Sequence, residues 1–220
     1  MSNGPKQAIY AEFATVARAL GHAHRLELIE HLAQGECAVE TLAQRAGVSV
    51  ANASQHLQQL RRAGLVASRR DGRHVLYRLS DETVLKLFSS LREVAERNVA
   101  EVDRIVRSYF DARDSLEPIS RETLLERLQD GQVTVLDVRP PEEFTVGHLP
   151  GALNVPLEML EQRLQELDPA QQIVAYCRGA YCVLAFEAVA ALRDRGFDVR
   201  RLEDGFPEWR AAGLPVEVGA

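Results

Sequence analysis

The sequence predicts two domains: a mainly helical module over residues 1–112, then an α/β module with a parallel sheet over residues 113–220. Three observations carry the prediction. A chain of 220 residues suits two domains of about 100 residues each, and either half can bury a core. In the first half apolar residues recur at helical spacing and give way, after Gly64, to an alternating pattern. In the second half short apolar runs alternate with helical stretches, as when helices join the strands of a parallel sheet.

Neither end carries a charged-then-apolar leader, and no apolar run approaches the roughly 18 residues of a membrane span. A soluble, cytoplasmic protein with no membrane partner is expected. Three cysteines are too few and of the wrong parity for a disulfide framework, which fits a reducing compartment and thiols with chemical roles. The net charge of −6 argues against nucleic acid only until it is divided. Residues 1–115 hold 16 Lys/Arg against 14 Asp/Glu, and residues 116–220 hold 10 against 18. Arg61, Arg62, Arg69, Arg70, Arg73 and Arg78 face one acid, Asp71, within a short stretch, a local excess suited to phosphate.

Taken in order, Ile9, Phe13, Val16 and Leu20 predict one helix and Leu26, Leu28, Ile29 and Leu32 a second, separated at Gly21. Gly35 ends the second. Val39 to Ala46 predicts a short third helix closed by Gly47, and Ser49 caps a fourth that runs through Leu57, Leu60 and Ala63 to Gly64. Short helix, turn and longer helix is helix-turn-helix spacing. Leu65 to Ser68 and Val75 to Leu79 then read as strands around Asp71-Gly72, a hairpin signal. The module is therefore a winged helix with a basic wing tip. Ser80-Asp81 caps a last long helix, 81–111, whose apolar face of Val84, Leu87, Phe88, Leu91, Val94, Val99, Val102 and Val106 calls for a second copy of the chain.

The stretch from Ala19 through the recognition helix and the wing to Ser80 resembles the ArsR family of bacterial dimeric repressors, over roughly residues 10 to 108. The resemblance implies a homodimer on a palindromic double-stranded operator. Ser49, Asn52, Ser54, Gln55 and His56 would face the major groove, and Arg69, Arg70 and Arg73 would reach backbone or minor groove. Where many members carry a Cys-Val-Cys metal motif, this chain has Ala38-Val39-Glu40, with Cys37 displaced by one position. The zinc-ligand positions of the final helix are likewise depleted: Asp81 is present, but Thr83, Val94 and Arg97 stand where partners belong. A thiolate site needs several converging ligands, so no metal and no cofactor is expected. His22, His24 and His31 are read as ordinary surface or core histidines, and Cys37 as a small packing residue.

In the second half Glu117 to Ser120 marks the junction, and Ser120 caps a helix over Arg121 to Leu128. Val133 to Arg139, Ile173 to Tyr176 and Val199 to Leu202 read as strands. Cys177 follows the second directly and opens a short glycine-containing loop before the helix-like run from Val183 to Arg193. Such a strand–loop–helix presents backbone N–H groups and a helix N-terminus to one sulfur, stabilising a thiolate or an attached anion. Cys177 is therefore the expected reactive atom, with a second thiol, Cys182, five residues on.

Residues 117 to 216 resemble a rhodanese domain, on LDVRPPEEFTVGHLPGALNVP at 136–156, CRGAYC at 177–182 and LEDGFPEWRAAGLPVE at 202–217. That resemblance implies sulfane-sulfur transfer. Cys177 would carry the persulfide, and the backbone of Arg178, Gly179, Ala180, Tyr181 and Cys182 would cradle it. Asp137 and Arg139, with Glu143 and His148, would brace the fold. Many relatives have Arg or Lys where this chain has Cys182, which predicts weak thiosulfate use and leaves two readings of Cys182: a resolving thiol, or an inert residue packed inward. The sulfur source is expected to be a sulfane donor such as polysulfide, persulfide or thiosulfate. The fusion suggests a repressor that senses reactive sulfur. Two alternatives remain open at this stage, a sulfurtransferase whose winged helix serves dimerisation, and a repressor answering arsenite or another thiophile.

Overall fold

Glycines and capping side chains set the boundaries of the N-terminal elements, as seen in a computed structural model that describes residues 4–110, 118–131 and 133–219. The expected division at 112/113 lies outside the described residues, as does Glu117. Two compact units are present, Met1–Ser90 and Leu91–Ala220.

In the first unit α1 (Pro5–Leu20) and α2 (Ala23–Gln34) precede a short strand β1 (Cys37–Ala38), then α3 (Val39–Arg45) and α4 (Val50–Arg62). The Ser49 side chain accepts from the Asn52 N–H and starts α4. Strands β2 (Val66–Asp71) and β3 (His74–Leu79) form the antiparallel wing, with Asp71 opposite His74. The turn between them is Gly72-Arg73, and the positive φ of Gly72 (59°) is what a tight turn of this hand requires. β1 was absent from the sequence expectation. It pairs Cys37 with Tyr77 on the outer edge of β3, so Cys37 packs half-buried against the core. That core joins Leu28, Ile29 and Leu32 of α2, Leu42 of α3 and Leu57 and Leu60 of α4.

The helix expected over 81–111 is interrupted. α5 spans Glu82–Asn98 and α6 Ala100–Ile105, followed by a π turn over Val106–Phe110. Val99 between them is extended (φ −109°, ψ 98°). Asn98 explains the break: its side chain donates to the Val94 carbonyl (2.8 Å), a local bond that competes with helix continuation, and a β-branched residue follows. Leu87, Leu91 and Val94 of α5 are exposed.

The second unit holds α7 (Arg121–Gln129), capped by Ser120, then β4 (Val133–Asp137), α8 (Pro141–Val146), β5 (Leu153–Asn154), α9 (Leu160–Arg163), β6 (Gln172–Tyr176), α10 (Val183–Arg193), β7 (Val199–Arg201) and α11 (Phe206–Ala211). Its sheet runs β5-β4-β6-β7 with every pair parallel. Strand alternation sorts the core into two layers. Leu136, Ile173, Ala175 and Cys177 pack with Ala185, Ala188, Val189 and Leu192 of α10, while Val135, Val174 and Tyr176 pack with Leu124 of α7 and Phe206 and Trp209 of α11. Cys177 thus emerges at the carboxyl end of β6, where parallel sheets place their sites.

Candidate functional site

The loop from Cys177 to Cys182 is built on a buried ion pair. Asp137 ends β4 and Arg139 follows it, both with no exposed surface, and the guanidinium meets the carboxylate at 2.6 Å. Arg139 also donates to the Gly147 carbonyl (2.8 Å) and lies over the Phe206 ring. Burial disfavours its charge, but the hydrogen bond and charge of Asp137 outweigh this and hold the guanidinium more firmly protonated than usual. Tyr176, the residue before Cys177, donates its hydroxyl to the same carboxylate (2.5 Å) and accepts from the Leu149 N–H. Burial, then the Asp137 charge, push the phenol well above its ordinary pKa, so it stays a donor.

The loop itself runs from Cys177, 1% exposed, to Cys182 at the N-cap of α10. The two cysteines face each other across the loop with a Cα–Cα separation of 6.2 Å, within reach of a bridge. Among the described residues no hydrogen bond engages the N–H groups of Gly179, Ala180 and Tyr181, which leaves them available to an anionic sulfur group. Arg178 turns its guanidinium to Glu143, a buried carboxylate, through contacts of 2.8 to 3.1 Å. One residue missed from sequence is Gly205. Its backbone packs so closely on the loop that a Cβ there would fall 2.4 Å from the Arg178 carbonyl carbon and the Gly179 nitrogen. Phe206 N–H donates to the Cys177 carbonyl (3.0 Å) from the same corner. Gly205→Ala is expected to displace the loop and cost about 1–3 kcal/mol. Urea unfolding of the full chain, with the alkylation rate of reduced Cys177, checks this, and an unchanged rate with unchanged stability would count against it.

In the first unit α4 presents a polar outer face. Ala53, Leu57 and Leu60 are fully buried, so helical geometry turns Gln55 outward, with Asn52 and Ser54 half-exposed on its flanks and Ser49 exposed at the cap. Arg62, already counted in the arginine excess, and Gln58, which was not anticipated, lie seven and three positions after Gln55 and share that face. At the wing, Arg70 and Arg73 are exposed. Arg69 is exposed too, and its Nε donates to both carboxylate oxygens of Glu36 at 2.8 and 2.9 Å.

His56 departs from the expectation of a groove-facing residue. Position 56 lies between the inward positions 53, 57 and 60, and the side chain is 8% exposed, its ring 4.4 Å from His22 and 5.9 Å from His24. The histidines that come together are therefore His22, His24 and His56; His31 is buried elsewhere on α2. Burial, then the charges of His22, Arg25 and His24, lower the His56 pKa. A depressed histidine stabilises the fold above its unfolded pKa, about 6.5, and that stability is lost as the pH falls through the folded value. Hydrogen exchange of α2 and α4, corrected for intrinsic rates, should show protection falling below that pH in the wild type and a flatter profile in His56→Phe. Equal profiles would remove His56 as the cause.

Comparison with known proteins adds the following. A family model for the rhodanese-like domain matches residues 120–212, and one for a helix-turn-helix domain matches residues 20–69. The chain is 45% identical over 215 residues to HTH-type transcriptional regulator Rv0324 of Mycobacterium tuberculosis, covering 98% of this chain and 94% of that protein. It is 33% identical over 100 residues to a sulfurtransferase of Allochromatium vinosum, covering 44% of this chain and 92% of the other. Among solved structures, a homodimeric winged helix-turn-helix domain from Mycobacterium bovis, called part of a possible ArsR-family transcriptional regulator, aligns with 37% identity and a TM-score of 0.42, over 45% of this chain and 92% of its own. Among the described residues no helix is long and apolar enough to cross a membrane.

Proposed function

Because the chain belongs to the helix-turn-helix transcriptional regulators that carry a C-terminal rhodanese-like domain, we propose that it is a cytoplasmic, homodimeric repressor whose rhodanese domain senses sulfane sulfur. The observation that supports this most is the pairing of Cys177 with Cys182 across the loop, in a chain that also carries a helix-turn-helix domain. The exposed apolar residues of α5 and of α1, among them Ile9, Tyr10 and Phe13, suit a dimer interface. The reduced dimer holds a palindromic operator through Asn52, Ser54 and Gln55 of α4 and through Arg70 and Arg73 of the wing.

The chemistry balances with a persulfide, RSSH, as donor. The Cys177 thiolate attacks the outer sulfur, a new S–S bond forms as the donor bond breaks, and RS⁻ leaves. The Cys182 thiolate then attacks Sγ of Cys177 and expels HS⁻, leaving the disulfide. The two thiols are oxidised and the sulfane sulfur is reduced to sulfide. Cys182 is on this reading the resolving thiol, and Asp137 and Arg139 hold β4 and β6 in place beneath the reaction.

The test is operator binding by fluorescence anisotropy, on DNA from upstream of the protein's own gene, before and after polysulfide. Binding should weaken in the wild type and not in Cys177→Ser. Equal affinity before and after treatment in the wild type would end the sensing reading. A second reading, sulfurtransferase activity in its own right, draws on the likeness to the Allochromatium sulfurtransferase. It requires steady turnover of thiosulfate or mercaptopyruvate with an acceptor, together with only non-specific DNA binding.

A further inference from the structure

The outer wall of the sulfur loop is made in part by residues that precede the rhodanese-like domain. Tyr181, next to Cys182, donates its hydroxyl to Glu96 of α5 at 2.8 Å. Its ring packs on Phe110, at 5.4 Å between centroids, and Phe110 packs in turn on Phe186 of α10 at 4.6 Å. One turn earlier on α5, Arg92 pairs with Glu96 (3.5 Å), Glu208 (3.0 Å) and Asp204 (3.9 Å). Asp204 and Glu208 flank Gly205, the residue pressed against the loop backbone, and Arg121 holds Asp204 at 3.0 Å. Two adjacent turns of α5 thus touch the loop side of the domain, one through Tyr181 and one through the start of α11.

We propose that Glu96 is the residue through which the state of the Cys177–Cys182 pair is read, with Tyr181 as the moving part. The inference rests on the sulfur-sensing reading above and adds its route. A bridge between residues 177 and 182 fixes the four residues between them, and Tyr181 is the one with a side-chain hydrogen bond to α5. Opening the bridge releases that constraint, and the hydrogen bond with it. α5 is continuous from Glu82 to Asn98, so a change in how Glu96 is held is felt along one helix. The phenol is suited to the task. Burial, then the hydrogen bond and charge of Glu96, raise its pKa to about 12, so it donates to the carboxylate throughout the physiological range.

The experiment compares full-length wild type, Glu96→Ala and Glu96→Gln, each before and after polysulfide, by operator anisotropy and by the loss of free thiol at Cys177 and Cys182 as the bridge forms, counted by alkylation and intact mass. Glu96 is partly exposed and outside the sulfur chemistry, and Gln retains a carbonyl that can accept from Tyr181. The expected result is equal bridge formation in all three, with an affinity loss of about a hundredfold in the wild type, most of it kept in Glu96→Gln, and no more than about threefold in Glu96→Ala. A full response in Glu96→Ala would overturn the route while leaving sulfur sensing intact. Failure of Glu96→Ala to form the bridge would also overturn it, because Glu96 would then act on the chemistry and not on its readout. An unresponsive wild type would overturn the sensing reading itself, and the route with it.

Discussion

Cys177→Ser is expected to abolish the polysulfide response while leaving the operator affinity of untreated protein unchanged. The effect is large because the whole response passes through one atom. A hundredfold drop in wild-type affinity corresponds to about 2.7 kcal/mol of coupling, within the ordinary range for two linked sites. Serine preserves the shape of the buried position at the end of β6 but supplies no thiolate, so no persulfide forms and nothing is presented to Cys182. Cys182→Ser separates the two stages. It should still gain one sulfur atom by mass and lose the response if the bridge is the signal, and retain the response if the persulfide suffices. A response persisting in Cys177→Ser would place the sensor elsewhere in the chain.

The second large effect concerns the foundation beneath the loop. Arg139→Leu should destabilise the second unit by about 3–5 kcal/mol, since it strands the Asp137 carboxylate in the interior without its cation. The damage should reach Cys177 directly, because the same carboxylate holds the hydroxyl of Tyr176, its immediate neighbour on β6. Replacing both partners, Asp137→Asn with Arg139→Leu, should recover part of the loss, as a neutral pair leaves no buried charge behind. Urea unfolding of the full chain checks both variants. A loss under about 1 kcal/mol for Arg139→Leu would mean that water or a neighbouring group compensates the carboxylate.

Local signals in the sequence reached the elements that depend on local chemistry. Ser49 and Ser120 act as caps, Gly72 turns the wing, and the apolar run before Cys177 is a central strand. The order of strands and helices was enough for the parallel sheet and for the position of the sulfur loop on it. Features that depend on residues far apart in the chain were out of reach. β1 is too short to show a period and exists because β3 offers it an edge. The break at Val99 turns on a single asparagine side chain. The burial of His56 was readable in principle, since Ala53, Leu57 and Leu60 mark the inward face and 56 falls within it, but a polar residue on a recognition helix suggests DNA first. Gly205 against Arg178 and Glu96 against Tyr181 join segments tens of residues apart, and no periodicity encodes them.

The clamp between Arg178 and Glu143 bears on how donors arrive. The guanidinium is the one cationic side chain within residues 177–182, and its partner is a buried carboxylate, so the pair presents little net field to solvent. Long-range steering then comes from the rest of the domain, where residues 116–220 hold 10 Lys/Arg against 18 Asp/Glu, a negative excess that repels anions and that salt screens. Capture from an anionic donor should then quicken as salt is added, while a neutral donor reacts at a rate set by its own reactivity and by the fit of its leaving group. On the sulfur-sensing reading, the loop would answer neutral persulfides before anionic ones wherever ionic strength is low.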